Sequence, residues 1–412
     1  MVSLSNHERT LYKFRANGRG RADVERQPAG IESEIRARGK HMVDTTDVVI
    51  IGGGAAGCAV AYYLAEAGVR SVIVEREGIG SQASGFSAGG LNPLQGACIP
   101  GPLGSFAWES FQMHLALADQ LKNKTGIDCQ FRRVSQVRLA FEETEFPELQ
   151  ETIDIFSRVD GYEAGWLEPN DIQRLEPRVS RAAIRGIYEH GNAALDSLSF
   201  TQALIDSAVQ SGSTVRAGAV LGLDAQGGNV VRVLLEDGAL ECGQVVMALG
   251  PWSRKAESWL DTYIPVDPLK GEILRMELPG QALGHDIAGG GGNIYTKPDG
   301  LAWCGTTEEW RGFDRQPLEE TRRGILERVT RIVPDMANAK LVLHTACLRP
   351  VTPDWLPILG RAPGYENVFL ATGAGKKGIL LAPAIGKSIA DLITDGTTAL
   401  PITGFGPDRF VS

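Results

Sequence analysis

The sequence predicts an α/β fold in two parts: a parallel sheet assembled from separated segments, and a second domain with a mainly antiparallel sheet. Three observations predict it. A strand, a glycine-rich turn and a helix follow one another in "TTDVVIIGGGAAGCAVAYYLAEAGVRSVIVEREGIG". The same order returns near the C-terminus in "NVFLATGAGKKGILLAPAIGKSIADLITDG". Between them, residues 263–310 are strand-rich, with alternating apolar positions. The 412 residues also exceed what one compact core usually organises, which suits two domains.

The elements can be justified in order. Residues 1–42 are arginine-rich, with acidic residues mixed in and no apolar periodicity. They read as a disordered or non-native extension, with Met42 opening the first domain. Val48–Ile51 is a continuous apolar run, as expected of a strand buried on both faces. Gly52, Gly54 and Gly57 then form a G-x-G-x-x-G turn around Ala55 and Ala56. Gly52 permits the tight turn, Gly54 lets backbone approach a pyrophosphate, and Gly57 lets the helix pack on the strand. The helix N-terminus presents free N–H groups and a positive dipole end to the phosphates. A second strand, Ser71–Val74, ends in Glu75, placed to grip ribose hydroxyls. This register predicts a bound dinucleotide without separating FAD from NAD.

Beyond it, "GSQASGFSAGGLNP" is a small-residue loop that can lie against a flat cofactor. Residues 104–159 read as helical, with an amphipathic run over 108–121. A helix is expected from Ser197 or Ser199, followed by a strand, two hairpin-like strands and the apolar strand Val245–Ala248. Pro298-Asp299-Gly300 predicts a hairpin turn, with Ile294, Thr296, Ala302 and Cys304 alternating on its arms. Pro317–Ile332 reads as a helix, then Val368–Ala371 as a strand and Ile379–Ile393 as a helix. Strands beginning near 48, 72, 245 and 368 are expected to form the parallel sheet.

Composition excludes several functions. The net charge of −9 argues against nucleic acid as a partner. No apolar run reaches membrane-spanning length. The six cysteines are scattered without a C-x-x-C pair, and the six histidines have no metal-ligand spacing, so no metal is expected and a reducing cytoplasm is. A small-molecule substrate fits this composition, and a homo-oligomer is compatible with it. One residue asks for a partner: Arg349 sits in the apolar, proline-rich "HTACLRPVTPDWLPILG", where a guanidinium needs hydrogen-bond acceptors. A structural ion pair and a bound anion both satisfy that need.

The segments "DVVIIGGGAAG", "VVMALGPWS", "IYTKPDGLAWCGTT" and "CLRPVTPDWLPILG", with the C-terminal strand–turn–helix, resemble the FAD-dependent D-amino-acid oxidase superfamily, in its glycine oxidase and sarcosine oxidase branch. The resemblance spans about residues 44–400. It implies a Rossmann-like FAD-binding domain from 43–100, 191–255 and 345–402, and a substrate domain from 101–190 and 256–344. FAD contacts would come from Gly52, Gly54, Ala55, Ala56, Gly57, Glu75 and Arg76, and from Ser84, Gly89 and Gly90 in the small-residue loop. Val220, Gly250 and Trp252 would add to them, as would Gly375, Lys376, Gly378 and Ile379 at a helix N-terminus.

The resemblance further implies that Arg349 binds a substrate carboxylate, helped by Tyr295, with Lys377 near substrate or flavin. It implies oxidation of a C–N bond of an amino acid or secondary amine by hydride transfer to the flavin. The reduced flavin would pass its electrons to O2, a quinone or a partner protein. Cys347 lies where sarcosine oxidases bond flavin covalently, whereas Leu380 and Trp303 depart from their lysines, so the implied FAD is non-covalent, with a link to Cys347 as the alternative. Two other outcomes stay open: a 2-hydroxy-acid dehydrogenase, which would want His344 or His285 as base, and an FAD subunit of a larger dehydrogenase.

Overall fold

The computed structural model describes residues 44–410. The extension predicted for residues 1–42 lies outside the described residues. Along the chain run β1 (Asp44–Ile51), α1 (Ala55–Glu66), β2 (Ser71–Glu75), α2 (Ala83–Phe86), β3 (Gly90–Leu91), α3 (Gly104–Thr125) and β4 (Arg132–Ala140). Next come α4 (Phe146–Phe156), β5 (Glu163–Leu167), α5 (Pro169–Leu175), β6 (Arg185–Ala194), α6 (Ser197–Gln210), β7 (Thr214–Ala217), β8 (Val220–Gln226), β9 (Asn229–Leu235) and β10 (Gly238–Met247). The chain continues with α7 (Glu257–Leu260), β11 (Asp267–Glu277), β12 (Asp286–Gly289), β13 (Gly292–Thr296), β14 (Ala302–Gly305) and α8 (Glu319–Ile332). It closes with β15 (Lys340–Val351), β16 (Ile358–Arg361), β17 (Val368–Thr372) and α9 (Gly378–Thr394).

The first sheet has the order β16-β17-β10-β1-β2-β7, and β17, β10, β1, β2 and β7 run parallel. The four strands expected to form it do so. β10 serves three ladders: Gly238–Glu241 closes an antiparallel hairpin with β9, Leu240–Met247 runs parallel to β1, and Val245–Met247 runs parallel to β17. Helices α1, α3, α6 and α9 bury one face of this sheet in a core that includes Phe106, Phe111 and Phe200. Burying each such ring contributes about 1.5–3 kcal/mol. α1 and α9 touch closely, because a Cβ on Gly386 would lie 2.5 Å from the Ala59 carbonyl carbon.

The second sheet runs β15-β11-β14-β13-β12-β4-β6-β3, with β5 on β6, and α8 packs against it. The predicted hairpin is present, pairing Ile294 with Cys304 and Thr296 with Ala302. The helical reading of 104–159 needs correction. Its middle is β4, a nine-residue strand inside this sheet. Arg132 and Gln136 face an internal cavity rather than solvent, so the polar positions of "RRVSQVRLA" do not read as a simple half-buried strand. Among the described residues no helix is long and apolar enough to cross a membrane.

Helix α6 starts where predicted, with Asp196 accepting from the Ser199 N–H at 2.7 Å. Helix α9 contains Pro383, which frees the carbonyl of Ile379. Buried His114 fills that place through Nε2 at 3.0 Å, and Ser110 Oγ accepts from the Ala384 N–H at 3.1 Å. Burial pushes the His114 ring down to about 4, so it stays neutral in this role.

Candidate active site

A cavity of about 590 Å³ lies between the carboxyl ends of the parallel strands and the face of the second sheet. At one end stands the glycine-rich turn. Gly52 has φ +115°, and a Cβ there would sit 2.3 Å from the Ala248 carbonyl oxygen. A Cβ on Gly57 would meet the Gly52 carbonyl oxygen at 2.1 Å, so Gly57 serves packing and does not line the cavity. Gly54 differs: a Cβ there would meet only Ser84 Oγ, at 3.3 Å. Gly54, Ala55 and Ala56 border the cavity, and Ala55 N–H donates to Ser84 Oγ at 2.9 Å.

Glu75 ends β2 with its carboxylate fixed by backbone. It accepts from Gly53 N–H at 2.7 Å and Glu77 N–H at 2.8 Å, and it borders the cavity. Arg76, Gly90, Val220, Gly250 and Trp252 also line it. The Arg76 guanidinium lies 4.1 Å over the Trp252 ring. Gly89 does not line it. Its φ is +76°, and a Cβ there would lie 1.9 Å from the Leu195 carbonyl oxygen, so this glycine exists for a close backbone crossing.

Across the cavity, Gly375, Lys376, Lys377, Gly378 and Ile379 form the turn that opens α9. This arrangement fits a dinucleotide. An open backbone cradle precedes one helix, a strand-end carboxylate stands beside it, and a second helix directs its positive end at the middle of the cavity. A Gly54→Val protein is expected to fold but lose most of its bound FAD, while Gly57→Val, which collides with backbone, should lower the melting temperature of the apoprotein as well. The ratio of flavin to protein absorbance, with melting curves, checks both.

The two lysines are committed to structure. Lys376 pairs with Glu308 at 2.5 Å. Lys377 donates to the carbonyls of Asn92 at 2.9 Å and Gln95 at 2.7 Å, tying that loop to the turn. Burial first, and neighbouring Lys376 second, bring the Lys377 ammonium down to about 8.

The remaining wall is the antiparallel sheet. Arg349, on β15, lies flat across Gly271 of β11, where a Cβ would be 2.2 Å from Nη2. Its Nη1 donates to the Thr307 carbonyl at 2.9 Å. It makes no ion pair among the described residues. Tyr295, on β13, borders the same space, and its hydroxyl has no hydrogen-bond partner among the described residues. Burial first, then Asp286, pushes that hydroxyl up to about 12, while Arg349 opposes the shift. Cys347 is buried beside Arg349, and burial raises its thiol. Leu380 sits in the core, and the Trp303 ring lies under the ammonium of Lys297 at 4.5 Å.

Thr307 belongs to a strap, residues 306–318, held down by buried charge. Lys270 and Glu272 are both fully buried and 3.0 Å apart. Lys270 also reaches Asp314 at 3.2 Å and the Gln316 carbonyl. Glu272 accepts from Leu318 N–H at 3.1 Å and bonds His344 at 2.6 Å. His344 is thereby engaged away from the cavity, and no histidine lines it among the described residues. Sequence reading also missed Arg132, Gln136, Glu189, Asp286, Asn293 and Lys297, which line the cavity from scattered strands with no local motif.

Comparison with known proteins matches residues 47–392 to the family "FAD dependent oxidoreductase" (DAO). A glycine oxidase of Geobacillus kaustophilus is 30% identical over 373 residues, covering 90% of this chain and 98% of the relative. A glycine oxidase of Bacillus licheniformis is 28% identical, covering 84% and 92%. The crystal structure of glycine oxidase from Geobacillus kaustophilus superposes with a TM-score of 0.84 at 28% identity, covering 90% of this chain and all of the other. Motif, fold and these likenesses agree that the chain belongs to the DAO family of FAD-dependent oxidoreductases.

Proposed function

We propose that the protein oxidises the C–N bond of a small amino acid or secondary amine, of the glycine, sarcosine or D-amino-acid type. The observation that carries this reading is the Arg349 guanidinium, which faces the cavity beside Tyr295 without a carboxylate partner among the described residues. A half-buried fork of donors with no anion of its own is a receptor for a planar carboxylate, bound by two parallel hydrogen bonds. Tyr295, held protonated, adds a donor to the same oxygens. FAD, when bound, would supply the acceptor for the hydride of the C–H bond, which carries both electrons. The chain supplies position: Arg349 and Tyr295 hold the carboxylate, and the sheet and Lys377-tethered loop exclude water. Among the described residues no histidine lines the cavity, which speaks against the 2-hydroxy-acid reading, since that reading needs a base.

In this reading FAD is non-covalent, because burial keeps the Cys347 thiol protonated and a poor nucleophile. The enzyme works in the cytoplasm, as a homo-oligomer or alone, and passes its electrons to O2 or another acceptor.

The test is anaerobic. Pools of glycine, sarcosine, D-amino acids, L-amino acids and 2-hydroxy acids are mixed with the yellow protein, and flavin absorbance is followed. Bleaching by an amine pool supports the reading, and acid precipitation should then leave the yellow colour in the supernatant. Bleaching by hydroxy acids only, or by nothing, overturns it.

A further inference from the structure

The cavity floor holds more unspent polar groups than a carboxylate and one amine would use. β6, β4 and β12 are neighbours, and their register aligns Glu189 with Gln136 and Gln136 with Asp286. Residues opposite one another on adjacent strands share a face, with Cβ atoms about 5 Å apart. The three side chains therefore make one polar row across the sheet, and all three line the cavity.

Glu189 is 3% exposed, yet neither of its carboxyl oxygens has a hydrogen-bond partner among the described residues, and Oε2 is out of contact with solvent. Nearby Asn192 leaves its buried Oδ1 without a partner too. Gln136 makes no side-chain hydrogen bond among the described residues. Unpaired buried acceptors are costly and uncommon, and two of them bordering one cavity, Glu189 Oε2 and Asn192 Oδ1, point to a ligand that donates.

Charge narrows the ligand further. Asp286 has the cations Arg132 and Lys297 beside it and accepts two bonds from Thr296, each 2.7 Å. Glu189 has only partial relief. Arg138, the cation that acts on it, is bonded to Glu148 at 2.5 Å and to Thr152 at 2.8 Å. Burial first, with Asp286 adding to it, pushes the Glu189 carboxyl up to about 7. An incoming cation would draw it back to its charged form. The antiparallel pairing of Ile287 with Ile294 sets Asp286 opposite Tyr295, and Arg349, Tyr295 and the row all line one cavity, so one molecule whose carboxylate rests on Arg349 can extend toward the row.

We infer that the row of Glu189, Gln136 and Asp286 is a specificity site for an ammonium-type group, so that the preferred substrate is a carboxylate-bearing amine with a second, distal cationic nitrogen. The inference rests on the amine-oxidation reading above. Isosteric pairs test it with the holoenzyme. Ornithine and norleucine, as both enantiomers, differ only in the terminal group, as do N-(2-aminoethyl)glycine and N-propylglycine.

The cationic member of at least one pair should reduce the flavin with a kcat/KM about 10–100-fold higher, the worth of one charged hydrogen bond. In Glu189→Gln, which keeps the shape and removes the charge, that ratio should fall about tenfold or more, mainly through KM. Wild-type ratios at or below one, in a protein that glycine or norleucine does bleach, overturn this inference alone and need no variant to fold. Bleaching by no amine overturns the amine reading and this inference with it.

Discussion

Replacing Arg349 with alanine is expected to lower kcat/KM for the carboxylate substrate by about 10²–10³-fold, or roughly 3–4 kcal/mol, the range for losing one partner of a buried charge pair. The loss should fall on KM more than on kcat if the carboxylate is gripped equally in ground and transition states. Arg349→Lys should recover part of it, because charge returns but the planar fork does not. Gly271→Ala gives an independent check. Its methyl would collide with the guanidinium at 2.2 Å, and the flexible arginine would move before the sheet does. Activity should therefore fall in a protein that still carries its carboxylate receptor. None of the three should melt much earlier, since Arg349 has no ion pair to lose among the described residues. Stopped-flow flavin reduction with melting curves reads all three, and an Arg349→Ala protein with unchanged KM and kcat would remove the arginine from the site.

The second large effect concerns stability. Lys270→Met should destabilise the fold by about 3–5 kcal/mol, because it leaves the fully buried Glu272 without its cation. His344 and the Leu318 N–H remain as partners, which holds the loss within that range. Lys270→Met with Glu272→Leu should cost less than the sum of the single changes, since no buried charge is then stranded. The strap 306–318 should also become easier to cut with protease, and KM should rise because the Thr307 carbonyl no longer holds Arg349. Denaturant unfolding and limited proteolysis check this; additive single and double variants would mean that the two charges do not act as a pair.

The parallel sheet was legible because its strands are buried on both faces and read as apolar runs next to glycine turns. The cofactor cradle was legible for a similar reason: Gly52 and Gly57 answer to close backbone approaches that only glycine meets, and Gly54 keeps its place in the same spacing. Arg349 stood out as a cation in an apolar stretch. Gly271 beneath it did not, since its use depends on a side chain arriving from a strand 78 residues away in sequence. The cavity floor was illegible for a physical reason. A polar side chain facing an internal cavity has the same period as one facing water, so Gln136 and Glu189 look like ordinary surface positions. β4 was taken for helix on the same account, and Gly89 was taken for a cofactor contact because a close backbone crossing and a ligand both demand glycine.

The central position of β10 has a consequence for how the chain reaches this state. β1 can pair with β2 as soon as both exist, but its other neighbour is β10 and the next is β17, which begins at Val368. At about 5–20 residues per second of synthesis, β17 follows β1 by roughly 15–65 seconds. For roughly the first 10–40 seconds of that interval the glycine cradle lacks the Ala248 carbonyl against which Gly52 closes, and the opposite helix end does not exist until after β17. Pairings this distant in sequence form slowly, and the exposed edge of β1 invites other strands meanwhile. The nascent chain is thus expected to depend on chaperones late, with cofactor capture closing maturation rather than seeding it.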